Sequence, residues 1–312
     1  MLRWSRNSCF LDSLLLVLLR EAPSRYVQQH LLDPPASELA AALRRVRRHL
    51  AAGRGTITSD AVRALLPAAG GYDSFDDGQP HDSSEVLRQL LQHFGCPDTL
   101  ETVSLRSVRD PGTGCWHQRT VPTVQAEAPL WIVAADQLPQ TTEVTDLNLV
   151  LRDEQKLDTP VLLSATDRRE MMEACLPEQR PPRFDRYREF RTLRSIRALG
   201  GDHLFVDLRR TRLHPTTMQE VRTITPVRPP ATLELAGGQV LELDGVVLHC
   251  AMHYLAVVRC RRDGMWDLLD DQHPEQCRRL TLQQLQSDKA LLCHMVLLSY
   301  CAGCYPVQPP AK

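Results

Sequence analysis

Asn7-Ser8-Cys9-Phe10-Leu11-Asp12-Ser13-Leu14-Leu15 is the stretch on which the reading of this chain turns. A cysteine opens an apolar run that continues to Leu19, which places it in the first turn of a helix. There, exposed backbone amides and the helix dipole favour a thiolate. Leu11, Leu14, Leu15 and Leu18 would bury the helix and fix the sulfur in place. Taken alone, such a cysteine is the better bet as a plain buried thiol.

Two downstream segments change that balance: His253-Tyr254-Leu255-Ala256-Val257-Val258 and Trp266-Asp267-Leu268-Leu269-Asp270-Asp271. His253 opens a strand after Ala251-Met252, and Asp270 ends the next one, across a hairpin turning near Asp263-Gly264. Adjacent strands set side chains next to one another, so a carboxylate there can reach the far ring nitrogen and set the tautomer. An imidazole so held can take the thiol proton and later protonate a leaving amine. Nucleophile, base and orienting carboxylate follow one another in the chain order of a papain-like cysteine protease. The developing oxyanion would need donors, for which the backbone N–H of Cys9 and the side-chain amide of Asn7 are candidates. Asn7 is read equally well as a helix cap.

The wording of these fragments resembles the ubiquitin-specific protease family. Asn7 to Ser13 is similar to its Cys box, closest to the version in the CYLD branch, and His253 to Val258 with Trp266 to Asp271 is similar to its His box. His81-Asp82-Ser83-Ser84-Glu85-Val86-Leu87 resembles its Gln-Asp box, Leu204 to Arg210 an apolar strand ending in basic residues, and Val227 to Leu235 a strand containing proline. The likeness runs from about residue 5 to about residue 306.

The resemblance implies an α+β, papain-like catalytic domain over residues 1–312. Residues 1–98 would be a helical thumb, 99–201 a fingers-like and inserted region, and 202–312 a β-rich palm. It implies a deubiquitinating thiol isopeptidase, with ubiquitin or polyubiquitin conjugates as partners. By position Cys9 is the nucleophile, His253 the general base, Asp270 the third member and Asp271 an auxiliary. Asp82, with His81 and Tyr254, would meet the ubiquitin tail, whose arginines Asp73, Asp76 and Asp77 could face. Two other readings stay open: a protease for a ubiquitin-like modifier or a polyprotein, and a ubiquitin-binding scaffold with impaired catalysis.

The chain departs from the family in several places. Trp4 stands where many members carry an oxyanion asparagine, and His81 replaces a glutamine. The paired Cys-x-x-Cys zinc knuckles are missing, because Cys96, Cys115 and Cys175 are single, while Cys301 and Cys304 form one pair without a second. A structural zinc site needs about four ligands, so neither metal nor cofactor is expected.

Bulk properties agree with a folded globular chain. It has 312 residues, 43% hydrophobic, with 37 basic and 38 acidic side chains, and this balance argues against nucleic acid or an anionic membrane surface. Ten cysteines scattered without a framework suit reduced thiols in the cytosol or nucleus. Arg3 and Arg6 before Phe10 to Leu19 resemble a secretory signal, but Asp12 and Ser13 interrupt the apolar run. Only Lys156, Lys289 and Lys312 are lysines. Codon bias explains this more simply than protection from ubiquitin attachment.

Periodicity predicts helices over Ser37 to Ala52, Ser59 to Leu66, Asp82 to Phe94 and Thr281 to Ser287. Strands are expected at Leu130 to Ala134, Leu147 to Leu151, Val161 to Leu163, Leu204 to Leu208, Val221 to Ile224, Ala231 to Leu235, Val240 to Leu248, His253 to Cys260, Met265 to Leu269 and Met295 to Tyr300. The Arg/Glu-rich stretch from Ala165 to Gly201 reads as a solvated excursion, with some helix from Asp185 to Leu199.

Overall fold

The computed structural model describes residues 2–3, 5, 7–21, 23–34, 37–53, 56–66, 75, 81–96, 100–109, 112–114, 116–118, 123–127, 130–133, 135, 138–152, 161–162, 189–198, 202–213, 219–235 and 238–302. Asp73, Asp76, Asp77, Trp4, Cys115, Cys175 and Cys304 lie outside them. The chain mixes helix and strand, and its contacts divide it into two compact units: Met1–Pro97 with Ala128–Val150 and Gly200–Lys312, and Asp98–Glu127 with Leu151–Leu199.

The first unit opens with the helices α1 (Cys9–Leu19), α2 (Arg25–Val27, continued by a π-turn over Gln28–Leu32), α3 (Glu38–Ala52), α4 (Asp60–Arg63) and α5 (Ser83–His93), and two short helices, Leu282–Ser287 and Lys289–Leu292, stand near its end. Their ends follow local chemistry. Ser37 caps α3 by accepting from the Ala40 N–H, and Gly53 closes it at φ 62°, where a glycine costs least. Asp82 caps α5, accepting from the Ser84 and Glu85 amides. Every residue of α1 is buried, as expected of a helix apolar on nearly all sides.

The strands, in chain order, are β1 (Leu100–Arg109), β2 (Trp116–Gln118), β3 (Thr123–Glu127), β4 (Leu130–Val133), β5 (Thr145–Asp146), β6 (Val161–Leu162), β7 (Glu189–Ala198), β8 (His203–Leu208) and β9 (Thr211–Leu213). They continue with β10 (Glu220–Arg222), β11 (Val227–Arg228), β12 (Thr232–Glu234), β13 (Val240–Cys250), β14 (His253–Arg259), β15 (Trp266–Leu269), β16 (Arg278–Leu280) and β17 (Met295–Ala302). In the first unit an eight-stranded sheet runs β16-β15-β14-β13-β17-β8-β4, with β12 also on β13. Its pairs are antiparallel except β4 with β8. In the second unit β1 pairs antiparallel with β2, β3 and β7, and β7 with β6.

Helix α1 lies on this eight-stranded sheet, against β13 and β14. The approach is close enough to require glycine: a Cβ at Gly245 on β13 would sit 2.6 Å from Val17 Cγ1. Val17 is β-branched and buried, so it has little freedom to yield. Gly245→Ala should therefore cost on the order of 1–3 kcal/mol, read as a lower denaturant midpoint. Adding Val17→Ala should recover part of the loss, whereas simple additivity of the two changes would refute the contact.

Two buried polar groups tie the layers together. His203 on β8 bridges Ser24, 2.7 Å from Nδ1, and Ser299 on β17, 2.9 Å from Nε2. Burial, aided by Arg261, pushes its pKa down to about 3, so it serves as a neutral hydrogen-bonding ring. Arg210 donates to the carbonyls of Met295 and Leu292 at 2.9 Å each, and to that of Thr225.

Two segments differ from their sequence reading. Leu147–Arg152 is a helix, α6, not a strand. The Asp146 carboxylate accepts from the Asn148 amide at 2.8 Å, which starts a helical turn, and Leu147, Val150 and Leu151 are buried at helical spacing while Leu149 is exposed. Glu189–Ala198, expected to contain helix, is β7, because β1 offers it nine paired positions from Leu100↔Ala198 to Val108↔Phe190. Strand β4, within the stretch 99–201, pairs with β8 in the sheet of the first unit. Among the described residues no helix is long and apolar enough to cross a membrane.

Candidate active site

Cys9 is the first residue of α1, preceded by Ser8 at the cap position and by Asn7 at φ 61°. Asparagine tolerates this left-handed conformation better than most residues. Asn7 is exposed and stands one place before the N-cap residue Ser8, whose side chain makes no capping hydrogen bond to the helix amides. Ser8 Oγ accepts from the Ser5 amide at 2.9 Å and donates to Asp12 Oδ2 at 2.5 Å.

The strands of the sheet carry His253 to this helix end. Cys250↔His253 closes the β13–β14 hairpin, with Ala251 at φ 54° and Met252 exposed in its turn. His253 is thus the first residue of β14, and the backbone N–H of its neighbour Tyr254 reaches toward Cys9 Sγ. Antiparallel pairing of β14 with β15, ending at Ala256↔Leu269, delivers Asp270 one residue beyond that pair. His253 Nε2 lies 2.8 Å from Asp270 Oδ1 and 3.5 Å from Asp271 Oδ1. Asp270 Oδ1 also accepts from the amides of Gln272 at 2.9 Å and His273 at 3.2 Å, so the carboxylate is aimed by the backbone.

A carboxylate only accepts, so Nε2 carries the proton and Nδ1 is left as the basic nitrogen of the neutral ring. Nδ1 is buried and has no hydrogen-bond partner among the described residues. This is the state a general base needs: one nitrogen held, the other bare. Three ligand-type atoms of His253, Asp270 and Asp271 come within 4.8 Å of one another. A metal there would have to displace the proton that Nε2 gives to Asp270, and the set is one short of a closed zinc site.

The thiol differs from the sequence expectation. Burial pushes the Cys9 pKa up, and Asp271 and Asp12 add to the rise. The backbone N–H groups of Tyr254 and Phe10 pull it down without cancelling the burial. The expectation counted the helix-end amides but not the removal of water from a residue only 4% exposed.

Asp82, the cap of α5, lies on a cleft of about 320 Å³ with Arg88, Asp207, Arg209, Arg222 and His249. Burial, reinforced by Asp82, lifts Asp207 to about 6, while Arg209 and Arg88 pull the other way. His249 stacks on Tyr254 with ring centroids 4.2 Å apart, and its backbone carbonyl accepts from Arg222. Tyr254 itself is buried. His81 is buried as well, edge-on to Phe10 at 5.2 Å and to Phe75 at 4.9 Å, which makes it part of the packing beneath α1.

The structure thus brings Cys9, His253, Asp270 and Asp271 together and sets Asp82 on a neighbouring cleft, while His81 and Tyr254 are packed inside. One residue of the site is visible in the sequence only as a break in the apolar run. Asp12, on α1, is fully buried, and its carboxyl faces Asp271. The signal was present: a carboxyl inside an unbroken apolar run must find a partner.

The chain matches no family model and no curated protein.

Proposed function

We propose that this chain is a deubiquitinating thiol isopeptidase with a papain-like fold of the ubiquitin-specific protease type, cleaving after the ubiquitin C-terminus. The observation that carries the reading is His253, with Nε2 fixed by Asp270 and Nδ1 buried and without a partner among the described residues, next to the residue whose amide reaches Cys9 Sγ. The boxes quoted from the sequence supply the substrate class.

In this reading His253 Nδ1 takes the Cys9 proton as Sγ attacks the carbonyl carbon of the terminal glycine. The imidazolium then protonates the departing lysine amine, leaving a thioester. Water, deprotonated by the same nitrogen, hydrolyses the thioester and returns the thiol. The raised thiol in the free protein means that proton removal by His253 is part of the work, rather than a standing ion pair. Asp82, on the cleft beside α5, is the residue that would meet the ubiquitin tail.

The direct test is to incubate the full chain with ubiquitin bearing a C-terminal electrophile. One covalent adduct, mapped to Cys9 by mass spectrometry, is the expected result. Capture only by the corresponding probe of another modifier would reassign the substrate. Binding without capture would make the chain a scaffold.

A further inference from the structure

Asp12 and Asp271 form a contact that the triad does not need. Asp12 belongs to α1, one turn beyond Cys9, and Asp271 follows the residue that holds the base. Both are buried, and among the described residues the Asp12 Oδ1 atom and both Asp271 oxygens have no well-formed hydrogen-bond partner, Asp271's own backbone N–H being the one donor close to its carboxyl. Where these oxygens face one another two charged carboxyls would repel, and one proton held between them removes the repulsion.

We propose that Asp12 and Asp271 share a single proton, and that this bond ties the nucleophile helix to the base-bearing strands, making Asp12 a positioning residue for the reaction. The proposal rests on the isopeptidase reading for its catalytic consequence, though not for the shared proton.

The neighbours decide where the proton sits. Asp12 accepts from Ser8, with the Ser59 hydroxyl and the Arg63 guanidinium nearby favouring its charged form. Asp271 has no comparable donor: it faces Asp12, Asp270, the Cys9 thiol and, at 3.5 Å, His253 Nε2, whose proton already goes to Asp270. Asp271 is therefore the protonated partner and donates to Asp12. Burial first, and then Asp12, push its pKa up to about 8. The division of labour between adjacent carboxyls follows: Asp270 orients the base, and Asp271 bridges to α1, so that the pair sets one negative charge rather than two beside the thiol. Loss of the shared proton sets two buried charges against each other across that seam.

The sign of the pH dependence follows from linkage. The folded-state pKa of Asp271 lies above its unfolded value, so its contribution to stability is complete below the unfolded value near 3.8 and is lost as pH rises toward about 8. Asp12→Asn replaces the shared proton with an amide N–H that does not titrate. Compared across about pH 6 to about pH 8, the melting temperature of the unaltered chain should fall relative to that of Asp12→Asn by about 2 °C per pH unit. With a ubiquitin C-terminal amide as substrate, kcat of the unaltered chain should decline above about pH 8, while that of Asp12→Asn holds and KM is similar in both.

Parallel melting curves would overturn the shared proton. Diverging melting curves with superimposable pH–kcat profiles would overturn the positioning role. No turnover by either protein, with the melting difference intact, would count against the isopeptidase reading and leave the shared proton standing. If Asp12→Asn does not fold, Asp271→Asn, whose amide donates back to Asp12, serves in the melting comparison.

Discussion

Cys9→Ala should leave no measurable cleavage of a ubiquitin C-terminal amide, a fall of at least about 10⁴-fold in kcat. The chemistry allows no substitute. The attacking atom must sit where the amides of Tyr254 and Phe10 point, and the Cys9 side chain reaches that place from the start of α1. Alanine keeps the Cβ and removes one small atom from a buried position, so the fold should persist. Binding of ubiquitin without turnover, measured by calorimetry, should remain within a few-fold of the unaltered chain. Turnover within about tenfold of the original would show that another of the cysteines, or another mechanism, does the work.

His253→Ala should lower kcat by about 10³-fold or more, since a positioned base contributes roughly 10²–10⁴-fold and acts as a unit with the nucleophile. The structure sharpens the expectation. Burial raises the Cys9 thiol, and two nearby carboxyls push the same way, so without the imidazole the sulfur stays protonated at neutral pH. Asp270→Asn should do less damage. It perturbs the ring tautomer, but Asp271 stands 3.5 Å from the same Nε2 and offers a second acceptor. Progress curves at enzyme concentrations scaled to each variant check both. Unchanged kcat in His253→Ala would remove the mechanism, and an Asp270→Asn defect exceeding that of His253→Ala would invert the assigned roles.

Local features of the fold were open to reading because their causes are local. Ser37, Asp82 and Thr281 each place a side-chain oxygen where a helix has amides to spare, and Thr281 forms a full capping box with Gln284. The β13, β14 and β15 strands alternate with turn residues between them, and Gly264 takes the left-handed φ of 72° that such a connection needs. Glu189–Ala198 was misread because its apolar positions at Phe190, Leu193 and Ile196 repeat every three residues, which suits a helix. Only pairing with β1, some ninety residues earlier, makes it a strand.

The site divides in the same way. Which residue types stand ready, and in what order, is written along the chain: a cysteine opening an apolar helix, a histidine opening a strand, a carboxylate closing the next. Hairpin geometry is short-range, so the meeting of His253 with Asp270 followed from the sequence as well. The thiol's raised pKa and the meeting of Asp12 with Asp271 did not. Both arise from burying α1 against strands more than two hundred residues away. Desolvation and long-range charge contacts depend on what finally surrounds a group, and no window of sequence contains that.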